Sequence, residues 1–271
     1  MRILYIGDRL KKGFYFICVC VLSIVIFQEI QNNMPETGDA EDRVATMNSS
    51  VSGAGVAEKE KQKVAYLTFD DGPSEITPDI LDTLKNKNAT ATFFLVGSEI
   101  TEEREEIVKR ELKEGHSVGV HTYSHKKDEM YCDEKNFFED FNMCRNRIQE
   151  VTGVAPRLHR FPWGSNNGYV CPIVDDIMSK LKKDNIVSFD WNVSGEDSVG
   201  TNVPKATIYR NVAKDLEKYD QPIILLHDSN TMDNTAAVLG EIIDLIKEKG
   251  YSFGTLEERD EYTFPVSWRQ G

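Results

Sequence analysis

From residue 63 onward, short apolar runs alternate with longer stretches of helical periodicity. The runs are VAYLTF at 64–69, ATFFLV at 91–96, SVGV at 117–120, RLHRF at 157–161, NIVSF at 185–189, PIILL at 222–226 and YSFGT at 251–255. Their length and their β-branched and aromatic content predict strands. Between them, Pro78–Asn86, Glu102–Glu114, Asn136–Thr152, Pro172–Lys183, Lys205–Tyr219 and Thr235–Lys249 predict amphipathic helices. Some of these close on a charged last turn followed by glycine, as in KEG at 113–115 and KEKG at 247–250. Strand–helix alternation implies a mainly parallel α/β sheet. Seven strands suit a closed or nearly closed barrel, with a doubly wound open sheet as the alternative.

The polar residues sharpen this picture. Asp70 and Asp71 follow the first run, His121 and His125 the third, and Arg160 ends the fourth. Asp190 follows the fifth run, and His227 with Asp228 the sixth. In a parallel barrel these strand ends all point to one face, where loops build sites. Adjacent Asp70 and Asp71 should point in different directions from a strand, which suits two tasks at one place. Taken alone, TFDDGP also fits a plain surface turn. In HTYSH, two histidines four apart would share one face of a helical turn, within reach of a single cation. Two imidazoles and one carboxylate leave coordination positions open, the pattern of a catalytic metal rather than a structural one.

The first sixty residues have a different texture. Arg2, Arg9, Lys11 and Lys12 precede FYFICVCVLSIVIF at 14–27, a positive flank before an uncharged apolar block. Fourteen residues rise about 21 Å as a helix, short of a hydrocarbon core of about 30 Å, but flanking Gly13 and snorkelling lysines extend the span. No small-x-small cleavage pattern follows directly. The expectation is a cytoplasmic N-terminus at 1–12, an uncleaved signal-anchor at 13–30 and a flexible polar tether at 31–62, with a catalytic domain over 63–258 and a tail over 259–271. This places the domain outside the cytoplasm on a single-pass membrane protein; a secreted form after cleavage is the alternative. The formal charge of −13 over 271 residues argues against nucleic acid and against a polybasic membrane patch. Cys132, Cys144 and Cys171 lie beyond the apolar block and allow either one disulfide and a thiol or three thiols; no CxxC pair is present.

TFDDGP, HTYSH, RFPWG, FDW and LLH occur in the order and approximate spacing of the polysaccharide deacetylase family. This family (carbohydrate esterase family 4) has a core known as the NodB homology domain. The resemblance spans about Lys63–Leu256. It implies a distorted (β/α)7 barrel preceded by the apolar helix and tether. Asp71, His121 and His125 resemble the metal triad, with zinc the default ion and cobalt, nickel or manganese as alternatives. Asp70 resembles the catalytic base, Arg160 the group that pairs with it, and His227 the general acid. Asp190 resembles the carboxylate that orients His227. Trp163 occupies the position whose backbone N–H helps hold the oxyanion, though its indole is larger than the residue common there. Trp191 and Leu225 resemble the pocket for the acetyl methyl, with a plain core tryptophan as the alternative for Trp191. His116 and His159 fall outside the motifs and read as structural.

The implied activity is metal-dependent removal of N-acetyl groups from a sugar polymer, with N-acetylglucosamine of peptidoglycan the first choice. Chitin oligomers, poly-N-acetylglucosamine and acetylated xylan are the rival substrates. A non-catalytic carbohydrate-binding module would tolerate loss of Asp70, Asp71, His121, His125 or His227, and all five are present. An amidase cutting peptide rather than acetyl would differ in what it releases. The expected partners are the polysaccharide and, through the anchor, the membrane; the expected state is a monomer.

Overall fold

A computed structural model describes residues 63–268. The signal-anchor and tether expectations therefore lie outside the described residues. Among those described, no helix is long and apolar enough to cross a membrane.

The sheet is parallel throughout, with strands β1 (Val64–Gly72), β2 (Ala91–Leu95), β3 (Ser117–Val120), β4 (Leu158–His159), β5 (Val187–Ser188), β6 (Val193–Ser194), β7 (Ile223–His227) and β8 (Ser252–Phe253). Its order is β5-β4-β3-β2-β1-β7-β6, with β8 paired to the start of β1. The helices are α1 (Thr77–Asn86), α2 (Glu105–Lys113), α3 (Glu134–Thr152), α4 (Val174–Lys183), α5 (Lys205–Leu216) and α6 (Asp233–Glu248), with a single helical turn at Lys127–Met130. Each of the seven predicted strands is present. The two-residue β6 is an addition that was too short to register as an apolar run. β5 and β6 stand at the two ends of the order, so the sheet curls into a barrel that stays open between them.

Strand alternation divides the core into two. Ala65, Leu67 and Phe69 of β1 and Ala91, Phe93 and Leu95 of β2 face the helices, where Phe69 stacks on Phe93 at 5.2 Å. Tyr66, Phe94, Leu158, Phe189 and Ile223 form a smaller apolar cluster inside the curl. The inward register that holds this cluster continues to Thr68 and Asp70 on β1, to Arg160 beyond β4, and to Leu225 and His227 on β7. The interior is therefore apolar at the strand starts and polar at the strand ends. The segment after Glu258 closes over the inside of the curl: Asp190 N–H donates to Tyr262 O at 2.8 Å and Phe264 packs on Trp191 at 5.0 Å.

Candidate active site

The pair Asp70–Asp71 sits where β1 departs from its register with β2. Asp70 faces Phe94 and Gly72 faces Leu95, so Asp71 is an extra residue with φ of 75°. This bulge turns its side chain towards the strand-end face, where strict alternation would have sent it into the helix layer. Gly72 is needed beside it, because a Cβ there would lie 2.6 Å from Asp228 Oδ2.

Asp70 and Asp71 part company as expected. Asp70 Oδ1 accepts from Arg160 Nη1 at 2.8 Å. Arg160 is fully buried and spends its other donors on Thr68 Oγ1, Phe189 O and Asp190 O. A guanidinium fixed on so many oxygens holds the carboxylate it pairs with in one orientation. Asp71 Oδ1 instead lies 3.5 Å from His121 Nε2 and 3.3 Å from His125 Nε2.

These three ligand atoms fit one divalent ion. They lie within 4.8 Å of one another, and Asp71 Oδ1 is buried with no hydrogen-bond partner. Two atoms each about 2.1 Å from an ion at a tetrahedral angle stand about 3.4 Å apart, close to both Asp71–His separations. His121 Nδ1 donates to Arg160 O at 2.9 Å, which leaves the Nε2 lone pair facing Asp71. Burial, aided by His125, lowers the His121 pKa to about 3, so the imidazole is neutral and ready to ligate.

The helical turn expected for HTYSH is not what the chain adopts. Thr122 and His125 have φ of 70° and 52°, and the helical turn begins only at Lys127. The loop is pinned instead by Asp140 of α3, whose carboxylate accepts from Tyr123 N–H and Ser124 N–H. Gly97 N–H and Ser98 N–H donate to Thr122 O and Tyr123 O, each at 3.0 Å. A β-branched residue in the left-handed region costs about 1–3 kcal/mol, and these bonds hold it there.

His227 has a different carboxylate partner from the one expected. Its Nδ1 donates to Asp197 Oδ1 and its backbone N–H to Asp197 Oδ2, both at 2.8 Å. Asp190 faces away from this pair. Its carboxylate accepts from Ser165 N–H and Oγ–H and from Phe264 N–H, and so anchors the loop that carries Trp163. Asp197 comes from the turn after β6, whose return brings SGED back beside β7; Asn192 N–H and Gly195 N–H both bond to β7 carbonyls. Burial lowers the His227 pKa, but the Asp197 hydrogen bond and charge, with Asp70 and Asp71, outweigh it and raise it to about 9. The imidazole is therefore cationic at neutral pH.

Four buried aspartates thus brace four loops of one site: Asp140 for the histidine loop, Asp190 for the Trp163 loop, Asp197 for His227 and Asp228 for the Asp71 loop. Asp228 accepts from Ser74 Oγ and Thr77 Oγ1, both at 2.7 Å. Asp140 had a signal in the sequence, since it falls on the apolar stripe of α3 with Phe137, Phe141 and Cys144. Trp163 is 46 % exposed with φ of 63°, and its indole packs on His125 at 4.8 Å. Trp191 and Leu225 lie on the inner side of the curl, Trp191 partly open and Leu225 buried. His116 and His159 are buried and contribute no atom to the ligand cluster; His159 sits among Phe137, Phe141 and Phe161. Cys132, Cys144 and Cys171 are thiols.

A family model described as polysaccharide deacetylase matches residues 57–180. The chain is 35 % identical over 214 residues to a peptidoglycan-N-acetylglucosamine deacetylase of Bacillus cereus, covering 77 % of this chain and 74 % of that one. Among solved structures, the catalytic domain of a peptidoglycan N-acetylglucosamine deacetylase from Eubacterium rectale superposes with a TM-score of 0.71 at 28 % identity, covering 76 % of this chain and 94 % of that one. The polysaccharide deacetylase Bc1974 of Bacillus cereus superposes with a TM-score of 0.65 at 32 % identity, covering 77 % and 100 %.

Proposed function

The chain belongs to the polysaccharide deacetylase family, and on that premise we propose that it removes N-acetyl groups from N-acetylglucosamine units of peptidoglycan. The observation that carries this reading is one strand-end face holding three kinds of group together. They are a three-ligand cluster, a carboxylate fixed on a buried arginine, and a cationic imidazole on a carboxylate. This is the division of labour that hydrolysis of an acetamide needs.

Asp71, His121 and His125 would hold the ion, with zinc the default for two nitrogens and one oxygen. When bound, a divalent ion supplies carbonyl polarisation and a water acidified from a pKa of about 16 towards 7. Asp70, aimed by Arg160, takes the proton of the attacking water. The oxygen of that water becomes part of acetate, and the C–N bond breaks. His227 gives its Nε2 proton to the departing nitrogen, and Asp197 stabilises the imidazolium until it does. The Trp163 backbone N–H faces the developing oxyanion, with Asp190 bracing its loop through Ser165. Trp191 and Leu225 receive the acetyl methyl.

The N-terminal apolar block supports an external, membrane-tethered placement, and a monomer suffices because every group named comes from one chain. The test is acetate release from defined sugar polymers, with chelator and metal add-back. Acetate from N-acetylglucosamine polymers, lost with chelator and restored with zinc, is expected. Release of a peptide fragment without acetate would overturn the reading in favour of an amidase, and binding without turnover would favour a carbohydrate-binding module.

A further inference from the structure

The two flanks of the ligand cluster differ in chemistry. On one side lies an open groove of about 300 Å³ lined by Ser98, Ser124, Ser229, Asn230, Thr231 and Glu99, whose charge Arg104 takes up at 2.6 Å. On the other, His125, Trp163, Tyr169 and Lys127 form a continuous row, with successive separations of 4.8, 6.1 and 4.3 Å. Trp163 and Tyr169 are 46 % and 51 % exposed, so two large rings stand open to solvent within reach of the sugar next to the reacting one. Open aromatic faces beside a polar cleft are a platform for a pyranose ring.

Lys127 gives this platform a charge. Its ammonium lies over the Tyr169 ring and bonds Tyr169 Oη at 3.1 Å, while Glu129 of the same helical turn pairs with Lys126 and Asp128 acts on Lys127 only at a distance. An ammonium carries three donors, and Tyr169 takes one. Elsewhere the charges of the centre are already matched, Asp70 by Arg160 and Asp197 by His227, whereas Lys127 keeps donors to spare on this flank. An acidic substituent on a glycan would be attracted at Lys127.

We propose that Trp163, Tyr169 and Lys127 form a subsite for the neighbouring sugar and that Lys127 with Tyr169 recognises a carboxylate on it. The proposal rests on the deacetylase reading and narrows it: the preferred polymer alternates a neutral N-acetylated sugar with an acidic one. In a peptidoglycan strand that carboxylate is either the lactyl group of a muramyl unit freed of peptide or an acidic residue of its stem peptide. A uniformly neutral polymer such as chitin has nothing to offer the ammonium.

The experiment compares kcat/KM for acetate release from three substrates: chitotetraose, an alternating N-acetylglucosamine–N-acetylmuramic acid tetrasaccharide with free lactyl carboxylates, and the same strand carrying stem peptides. The intact enzyme should favour at least one acidic substrate over chitotetraose by about threefold to fivefold at low salt, the scale of an exposed charge pair. Lys127→Met should bring that ratio to near one and Lys127→Arg should keep it, while added salt should weaken it in the unaltered enzyme. The favoured acidic arm identifies which carboxylate is read. Equal rates on all three substrates, or a preference unmoved by Lys127→Met, would overturn the subsite and leave the deacetylase reading standing. No acetate from any of the three would overturn both.

Discussion

Replacing Asp197 by asparagine isolates the acid half of the mechanism. Asp197 holds His227 through both Nδ1–H and the backbone N–H, and asparagine keeps a carbonyl acceptor while removing the charge. With its pKa at about 9, about nine-tenths of His227 is protonated at pH 8. Without the Asp197 charge, burial is opposed only by the weaker pull of Asp70 and Asp71, so the pKa falls and less of the imidazole is protonated at that pH. The expected loss in kcat/KM is therefore about tenfold or more at pH 8, shrinking as the pH is lowered, because the missing proton is resupplied by solvent. The same shift bears on stability. A histidine whose folded pKa is raised from 6.5 to about 9 favours the folded state by about 3 kcal/mol, fully below pH 6.5 and progressively less as the pH rises through 9. The assay is acetate release from chitotetraose between pH 6 and 10, for the unaltered enzyme, Asp197→Asn and Asp190→Asn. An alkaline limb that stays near pH 9 in Asp197→Asn, or moves in Asp190→Asn, would refute the assignment of Asp197 as the partner of His227.

Other consequences are open to direct measurement. Asp70→Asn should retain the metal by elemental analysis yet lose about 100-fold or more in turnover, because the base is gone while the ligand set is intact. His121→Ala should lower metal stoichiometry, and its melting temperature should no longer respond to chelator, whereas the unaltered protein should lose stability on chelation. Asp140→Ala should weaken metal affinity by titration calorimetry by about tenfold, since Tyr123 and Ser124 lose the acceptor that pins the histidine loop. Glu111 is fully buried in α2 with both carboxyl oxygens unpartnered, and burial raises its pKa well above the usual range. Its raised folded pKa favours the folded state at acid pH and costs stability as the pH rises above 4.5; Glu111→Leu should add about 1–3 kcal/mol at pH 8 in chemical denaturation and much less at pH 4.

Much of this was legible in the residues because strand periodicity is local. Runs such as VAYLTF and PIILL specify strands by composition alone, and a parallel arrangement then forces Asp70, Arg160 and His227 to a common end. What escaped depends on contacts between segments distant in the chain. Asp190 and Asp197 are seven residues apart on the same connection, and both follow short strands. Only the return of β6 alongside β7 decides which of them meets His227. The four-residue spacing of HTYSH suggested a helix, but Asp140 and the Gly97–Ser98 amides bind its backbone in a non-helical path. Spacing reported that the imidazoles come to one place; it was silent on the route between them.

The extra residue at Asp71 has a consequence for how the chemistry can change over time. Asp70, fixed on Arg160, and Asp71, beside the two imidazoles, are encoded by neighbouring codons, and a single inserted residue in β1 sets their relative aim. Neither function can be lengthened, moved to another strand or tuned by sliding register without disturbing its companion. Diversification of such an enzyme is thereby channelled towards the rim, to positions such as Lys127 and Tyr169, where altering which polymer is held leaves the cutting apparatus untouched.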